Sequence, residues 1–441
     1  MDSPQRRNIV IIGGGIIGCC TAYFLTRHDK FNPALDRIIL LEATSIASGA
    51  SGKAGGLLAL WAYPACLVPL SYRLHGELAA EHNGAERWGY RRVGCGSLSA
   101  VVKTPDIKPK TRIPNEVTNG TSAELPIQGA VPDENDKTWE KLPKQDEVAV
   151  GLLQESPLPA DLDWIDGELI HHYEEMGMPG FTETSQVHPF YFTNSIAELA
   201  KEKGLDIRIG AKVTKINHTK SGVRSVEYED RETGDACFIN EITDVVVTAG
   251  PWTGKLLPRS RVEGLRAHSV VFDVDISPYA VFTNIQLPSD YVPEHRATKG
   301  QKRKHRGNVD PEIYARPGNE AYACGEPDST IPLPETADLV QCDEAQCDDL
   351  VAYIGTVSPV LGAAPVKAKQ ACYMPRHMRF GEERGPLIGQ TSVPGLWIAA
   401  GHTCWGIQNA PGTGCLMAEL LYDGVAKSAD IDKLDPKKFK V

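Results

Sequence analysis

An α/β fold built on a parallel sheet is what the N-terminal part of the sequence predicts, on three observations. Residues 9–12 (IVII) are an apolar, β-branched run of the length and character of a strand buried on both faces. The turn GGGIIG at 13–18 follows without a gap and opens a helical stretch that reaches about Arg27. Residues 37–41 (RIILL) read as a second strand, with Glu42 at its carboxyl end. Strand, turn, helix and strand in that order make one βαβ unit.

Each piece has a physical reason. Gly13 permits the tight turn, Gly15 lets the backbone approach a pyrophosphate, and Gly18 lets the helix pack closely on the strand. Gly14, Ile16 and Ile17 complete the loop, whose helix offers its first amides and its dipole to phosphates. Glu42, followed by Ala43, is placed to accept a hydrogen bond from a ribose hydroxyl. That arrangement suits NAD or FAD and disfavours NADP. Arg6 and Arg7 ahead of an uncharged run also invite a targeting reading. Four glycines in six positions and no small-residue cleavage site argue against a signal peptide. The run is also marginal against the ~20 apolar residues of a membrane span.

Composition narrows the function classes. At 441 residues, 41% hydrophobic and 23% charged, the chain is long enough for two or three domains of ordinary soluble type. A net charge of −11 argues against a general nucleic-acid binder. The eleven cysteines are scattered and odd in number, and Cys19, Cys20, Cys237 and Cys415 sit in apolar runs, which fits reduced thiols. Cys342 and Cys347 have no matching second pair, so residues 343–349 read as an exposed helix start and no metal is expected.

Three later stretches favour a flavin over a nicotinamide. Residues 44–56 (TSIASGASGKAGG) are too small-residue-rich for a packed strand and suit a backbone laid against a flat or charged ligand. Residues 244–250 (DVVVTAG) and 395–402 (GLWIAAGH) read as buried strands ending in small residues. A helix expected from about Thr413 to Gly424 would bring positive partial charge to a ring that becomes anionic on reduction.

As a set, GGGIIG, Glu42, SGASGKAGG (48–56), VTAGPW (247–252) and AAGH (399–402) resemble the D-amino-acid oxidase, glycine oxidase and sarcosine oxidase superfamily over most of the chain, nearest to a fungal branch of FAD-dependent oxidoreductases. The resemblance implies a Rossmann-type FAD-binding domain interleaved with a substrate domain on an antiparallel sheet. Residues 1–95, 188–260 and 369–441 are expected in the first, and 96–187 and 261–368 in the second. A helix over 190–203 and strands at 206–209, 212–216, 223–228 and 236–239 fit that division. Two insertions are expected, at about 103–146 and about 289–311. The second carries Lys299, Lys302, Arg303, Lys304, His305 and Arg306 and almost nothing to pack a core.

The family likeness also implies site residues. FAD is expected against the turn residues and Glu42–Ala43, then along Ser48, Ser51, Gly52, Lys53, Ala54, Gly55 and Gly56. Val213, Ala249, Gly250 and Trp252 are expected to contact it from the middle of the chain, and Gly401, His402, Gly406, Ile407 and Gln408 from the end. Arg316, in YARP (314–317), resembles the arginine that holds a substrate carboxylate, a bidentate task suited to guanidinium. His402 is expected at the flavin edge, and Gln408 stands where sarcosine oxidases carry a carboxylate-binding lysine. The lysine that promotes their oxygen reaction would fall near Ala323 or Cys324, and none is there. Cys372 falls where they attach flavin through sulfur; a free cysteine is expected here. Trp405 is read as a pocket wall or core residue and His188 as structural.

These readings converge on oxidation of a C–N bond in a small amine or amino-acid-like substrate, with hydride passing to flavin N5 and oxygen or an electron-acceptor partner taking the electrons. The alternative is a flavin-bound regulatory or trafficking protein with little turnover, motivated by the missing lysines and the insertions. No nucleic acid and no integral membrane segment are expected. The C-terminal Lys440–Val441 is no peroxisomal address, which leaves the cytoplasm as the expected location.

Overall fold

The computed structural model describes residues 6–104, 158–177, 183–305 and 307–441. The insertion expected at about 103–146 therefore lies outside the described residues beyond position 104, as does Arg306.

Among the described residues, one six-stranded sheet runs in the order Leu387–Gln390, Leu396–Ala400, Asp244–Val247, Asn8–Ile12, Arg37–Glu42, Leu205–Ile209. All neighbours are parallel except the outer pair Leu387–Gln390 and Leu396–Ala400. Both faces are covered, which is why the inner strands are apolar along most of their length. Ile9, Ile11, Ile38 and Leu40 pack with the helices Ile16–Leu25, Pro189–Lys201 and Gly406–Asp423. The alternate residues Val10, Ile12, Ile39 and Leu41 pack on a three-stranded antiparallel sheet of Ala211–Thr219, Gly222–Asp230 and Ala236–Asn240. Its strands fall where the sequence predicts them, within a residue or two at most ends.

A larger, mainly antiparallel sheet stands beside it. Its main path is Glu382–Arg384, Val366–Arg379, Val262–Asp273, Glu320–Cys324, Glu312–Arg316, Tyr279–Gln286, Gly94–Val101, Ile170–Glu175. Gly94–Val101 and Tyr279–Gln286 pair in parallel; the other neighbours are antiparallel. One face packs on the helix Glu344–Gly355, which Asp343 caps by accepting from the Ala345 amide at 3.0 Å.

Three local expectations need correction. The C-terminal helix starts at Gly406, not near Thr413. Its glycines look like loop residues in sequence but are packing contacts. A Cβ on Gly412 would lie 2.2 Å from Ser71 Oγ, and one on Gly414 2.6 Å from the Cys20 backbone. The strand Val366–Arg379 pairs with Val262–Asp273 along nearly its whole length, so a boundary at 368 would cut a strand. Finally, the basic stretch 289–311 does pack. Arg296 is buried and pairs with Asp349 through both carboxylate oxygens, and Asn308–Val309 adds to the large sheet.

Candidate active site

Where the parallel strands end, residues from both sheets enclose a cavity of about 850 Å³. That lies toward the upper end of the roughly 300–1,000 Å³ usual for ligand and cofactor sites.

One wall is mostly backbone. Gly13 has φ +111°, and a Cβ there would sit 2.6 Å from the Thr248 carbonyl oxygen. Gly15 precedes the first helix with no side-chain cap, so that helix end presents amides. The Ile16 amide donates to Ser51 Oγ at 2.9 Å, which ties the small-residue run onto the turn. Glu42 is fixed by its own loop: one carboxylate oxygen accepts from the Gly14 amide at 2.7 Å, the other from the Thr44 amide at 2.8 Å. Amides at a helix start, hydroxyls and one oriented carboxylate fit an extended ligand that combines phosphates with ribose hydroxyls.

Most of the expected cofactor residues are brought together here. Gly13, Gly15, Ile16, Ile17, Glu42, Ala43, Ser48, Ser51, Lys53, Ala54, Gly55 and Gly56 line the cavity, as do Val213, Ala249, Gly250, Trp252, Gly401, His402, Gly406 and Ile407. Gly14, Gly18 and Gly52 are not lining residues. The amide of Gly14 is turned to Glu42, while a Cβ on Gly18 or Gly52 would meet a backbone oxygen at 2.1 or 2.2 Å. These glycines shape the turn.

The end of the chain supplies a second helix start. His402 is buried, its Nε2 lies 3.0 Å from Thr413 Oγ1, and burial lowers its pKa to about 3, so the ring is neutral. Gln408 does not line the cavity; its Oε1 accepts from the Ala59 amide at 2.8 Å and joins the helix to the strand Leu57–Ala59.

The opposite wall consists of side chains from the large sheet and nearby loops. Tyr63, Phe282, Glu312, Tyr314, Tyr322, Cys324, Cys404 and Trp405 line it. Ring centroids lie 6.0 Å apart for Phe282 and Tyr314, 5.8 Å for Tyr314 and Tyr322, and 5.7 Å for Tyr63 and Trp405. The Tyr314 hydroxyl donates to Glu312 at 2.5 Å; burial first, then Glu312, raises its pKa and keeps that hydroxyl protonated. Cys372 also lines the cavity, and burial pushes its thiol up to about 11 against the pull of Lys53. The aromatic residues other than Trp405 escaped sequence reasoning. The signal was there: YARP and the glycine after it make a turn between two alternating strands, and Tyr314 lies on the same face as Arg316.

Arg316 is placed elsewhere. It pairs across the hairpin with Glu320, side chains 3.5 Å apart, and its guanidinium lies 2.8 Å from His188 Nε2. Glu320 also meets Lys367 at 2.7 Å, and burial lowers the pKa of His188. Tyr314 and Tyr322 form the next rung toward the cavity. One rung of a strand pair is two residues, about 6.6 Å, and this displacement takes the guanidinium off the lining.

Comparison with known proteins agrees with this architecture. The chain is 36% identical to the candidate oxidoreductase TDA3 of Saccharomyces cerevisiae, over 99% of this chain and 96% of that one. A candidate oxidoreductase of Schizosaccharomyces pombe is 32% identical, covering 98% of each. Among solved structures, glycine oxidase from Geobacillus kaustophilus superposes with a TM-score of 0.65 at 18% identity, over 98% of both chains. L-proline dehydrogenase from P. horikoshii gives 0.64 at 16% identity, over 99% of both, which is a likeness of fold. The DAO family model, FAD dependent oxidoreductase, matches residues 8–420. With a glycine turn, the Glu42 carboxylate and a second helix start around one cavity, and with that family model matching residues 8–420, the chain belongs to the DAO family of FAD-dependent oxidoreductases, and its cofactor is FAD.

Proposed function

We propose that the protein oxidises the C–N bond of a small amine or amino-acid-like molecule, with FAD laid along the backbone wall and substrate against the aromatic wall. One observation carries the reading: a single cavity is lined both by the glycine turn and by the side chains of the large sheet. The pyrophosphate would lie at Gly13, Gly15 and Ser51, the ribose at Glu42, and the ring between Lys53–Gly56 and Gly401–Ile407.

When bound, the flavin supplies a hydride acceptor for the C–H bond beside the amine nitrogen. The residues of the chain orient and enclose. Lys53 is held by its Nζ donating to the Ala371 carbonyl at 3.0 Å, which fixes the small-residue run. Neutral His402 can exchange a hydrogen bond at the ring edge without adding charge. Trp405, Tyr63 and Phe282 exclude water from the reacting carbon. Gln408 and Arg316 act from behind, Gln408 by bracing the C-terminal helix and Arg316 by bracing the tyrosine hairpin.

Anaerobic mixing of the FAD-loaded protein with a panel of primary, secondary and cyclic amines and amino acids tests this. Bleaching of the flavin band by at least one compound is expected. A flavin that chemical reductants bleach but no member of the panel does would replace the reading with that of a non-catalytic flavin protein.

A further inference from the structure

We propose that Lys53 is the charge-stabilising residue of the site, its ammonium countering the negative charge that reduction leaves on the flavin ring. This rests on the ring placement given above and assigns Lys53 a part in the electron transfer beyond fixing its own loop.

Two features point there. The first is charge balance. Among the described lining residues the cations are Lys53, Lys212, Lys255 and Arg376. Lys212 and Lys255 pair with Glu335 at 3.5 and 3.0 Å, and Arg376 pairs with Glu263 at 3.1 Å. Lys53 has only a neutral partner among the described residues, the Ala371 carbonyl at 3.0 Å. An ammonium carries three N–H donors, so this one keeps donors for a ligand. A cation held in an enclosed cavity without an acid is compensated when the ligand itself brings the negative charge.

The second is where that charge is aimed. Ser51 Oγ accepts from the Ile16 amide at 2.9 Å, whereas a Cβ on Gly55 would lie 2.7 Å from the Tyr314 ring. The small-residue run thus passes from the glycine turn to the aromatic wall, with Lys53 midway. Its Nζ reaches the large sheet at the carbonyl just before Cys372, which lines the cavity. Burial raises the Cys372 thiol and Lys53 pulls it back, so the field of the ammonium acts at this wall. Burial raises the pKa of Tyr322 in turn, with Cys324 and Cys372 adding to it, which places Cys372 close to the aromatic side chains. The pyrophosphate has the turn and Ser51, so the anion left for Lys53 is the one that forms at the ring. The start of the helix Gly406–Asp423 brings only partial charge, while Lys53 brings a whole one. A fixed cation in a site that excludes water acts strongly and needs no rearrangement when the charge appears.

The test is the two-electron midpoint potential of bound FAD, measured without any amine, together with sulfite binding. Sulfite adds reversibly to oxidised flavin and leaves a negative charge on the ring, so its affinity, read from loss of the visible band, reports the same field. The wild type is expected to hold reduced FAD at least about tenfold more tightly than oxidised FAD, a potential about 30 mV above that of free FAD. Lys53→Met keeps the length of the side chain and removes its charge. It should lower the potential about tenfold in equilibrium terms, or about 30 mV, and weaken sulfite binding by the same factor. Lys53→Arg keeps the charge and should hold both values near those of the wild type. A Lys53→Met protein with a lowered thermal midpoint and an unchanged potential would overturn the proposal, because Lys53 would then only fix its loop. Equal loss of affinity for oxidised and reduced FAD would overturn it too, by putting the ammonium at the phosphates. The wild-type potential stands by itself should Lys53→Met not fold: a value at or below that of free FAD overturns the proposal. Potentials that move as expected in a protein whose flavin no amine bleaches would strike amine oxidation and leave the role of Lys53. Potentials indifferent to Lys53 in a protein that amines do bleach would strike this proposal alone.

Discussion

At the wall supplied by the parallel sheet, the cavity is shaped by absent side chains; at the wall supplied by the large antiparallel sheet, it is shaped by large ones. Gly13, Gly18 and Gly52 each stand where an added Cβ would lie within 2.6 Å of a backbone oxygen. Tyr314, Tyr322 and Phe282 stand where their side chains line the cavity. A backbone wall admits one shape and recognises an invariant ligand. A side-chain wall can change its chemistry residue by residue without moving a strand. The same fold can therefore keep one cofactor and exchange substrates.

The contrast can be broken most severely at Gly18. Gly18→Val is expected to cost more than about 4 kcal/mol, because the carbonyl of Gly13 cannot move without opening the turn. Expression without bound flavin, or no soluble protein, is the expected result. A stable, yellow Gly18→Val protein would mean that the turn is softer than the backbone wall requires.

The side-chain wall is sharpened at Arg316. Removing it as Arg316→Leu leaves Glu320 with Lys367 and His188, so the loss should sit at the lower end for a broken buried pair, about 3 kcal/mol. Denaturant unfolding of the holoprotein should register that loss while amine affinity is unchanged. A selective loss of amine binding at full stability would move Arg316 back into the site.

The smallest effect concerns protons. Burial lowers His75 and His377 to about 4 and His402 to about 3, from an ordinary value of 6.5. As pH falls through 6.5 the unfolded chain takes up protons that the folded chain refuses, so this stability is full above about 6.5 and lost below it. Each histidine should remove about 1 kcal/mol between pH 6.5 and 5.5. His402→Gln should flatten the acid limb of the stability profile by one such share; an unchanged limb would show that His402 takes up its proton as readily in the fold as in the unfolded chain.

The two walls also differed in how far they could be read from sequence. The backbone wall is legible because glycine marks positions only glycine can hold, as at 13 and 18, and because the inner strands around them are apolar on both faces. The start of the C-terminal helix was misplaced for the converse reason: Gly412 and Gly414 look like loop residues until Ser71 and Cys20 are seen against them. On the side-chain wall, alternation told that Glu312, Tyr314 and Arg316 share a face but not which rung meets the cavity. That depends on where the hairpin lies relative to Gly55 and the first sheet, which is tertiary information. Family likeness therefore favoured the arginine, and the structure brings the tyrosine to the site.

The central parallel sheet places Asn8–Ile12 between Asp244–Val247 and Arg37–Glu42, with Leu396–Ala400 next to Asp244–Val247. A nascent chain thus exposes its glycine turn hundreds of residues before Leu396–Ala400 and Gly406–Asp423, which complete the cavity, leave the ribosome. Until Asp244–Val247 emerges the first strand has no neighbour on one side, and its apolar edge is a pairing hazard. The cofactor is accordingly a ligand of the finished chain: it can lock the assembled sheets and cannot template the N-terminal half during synthesis.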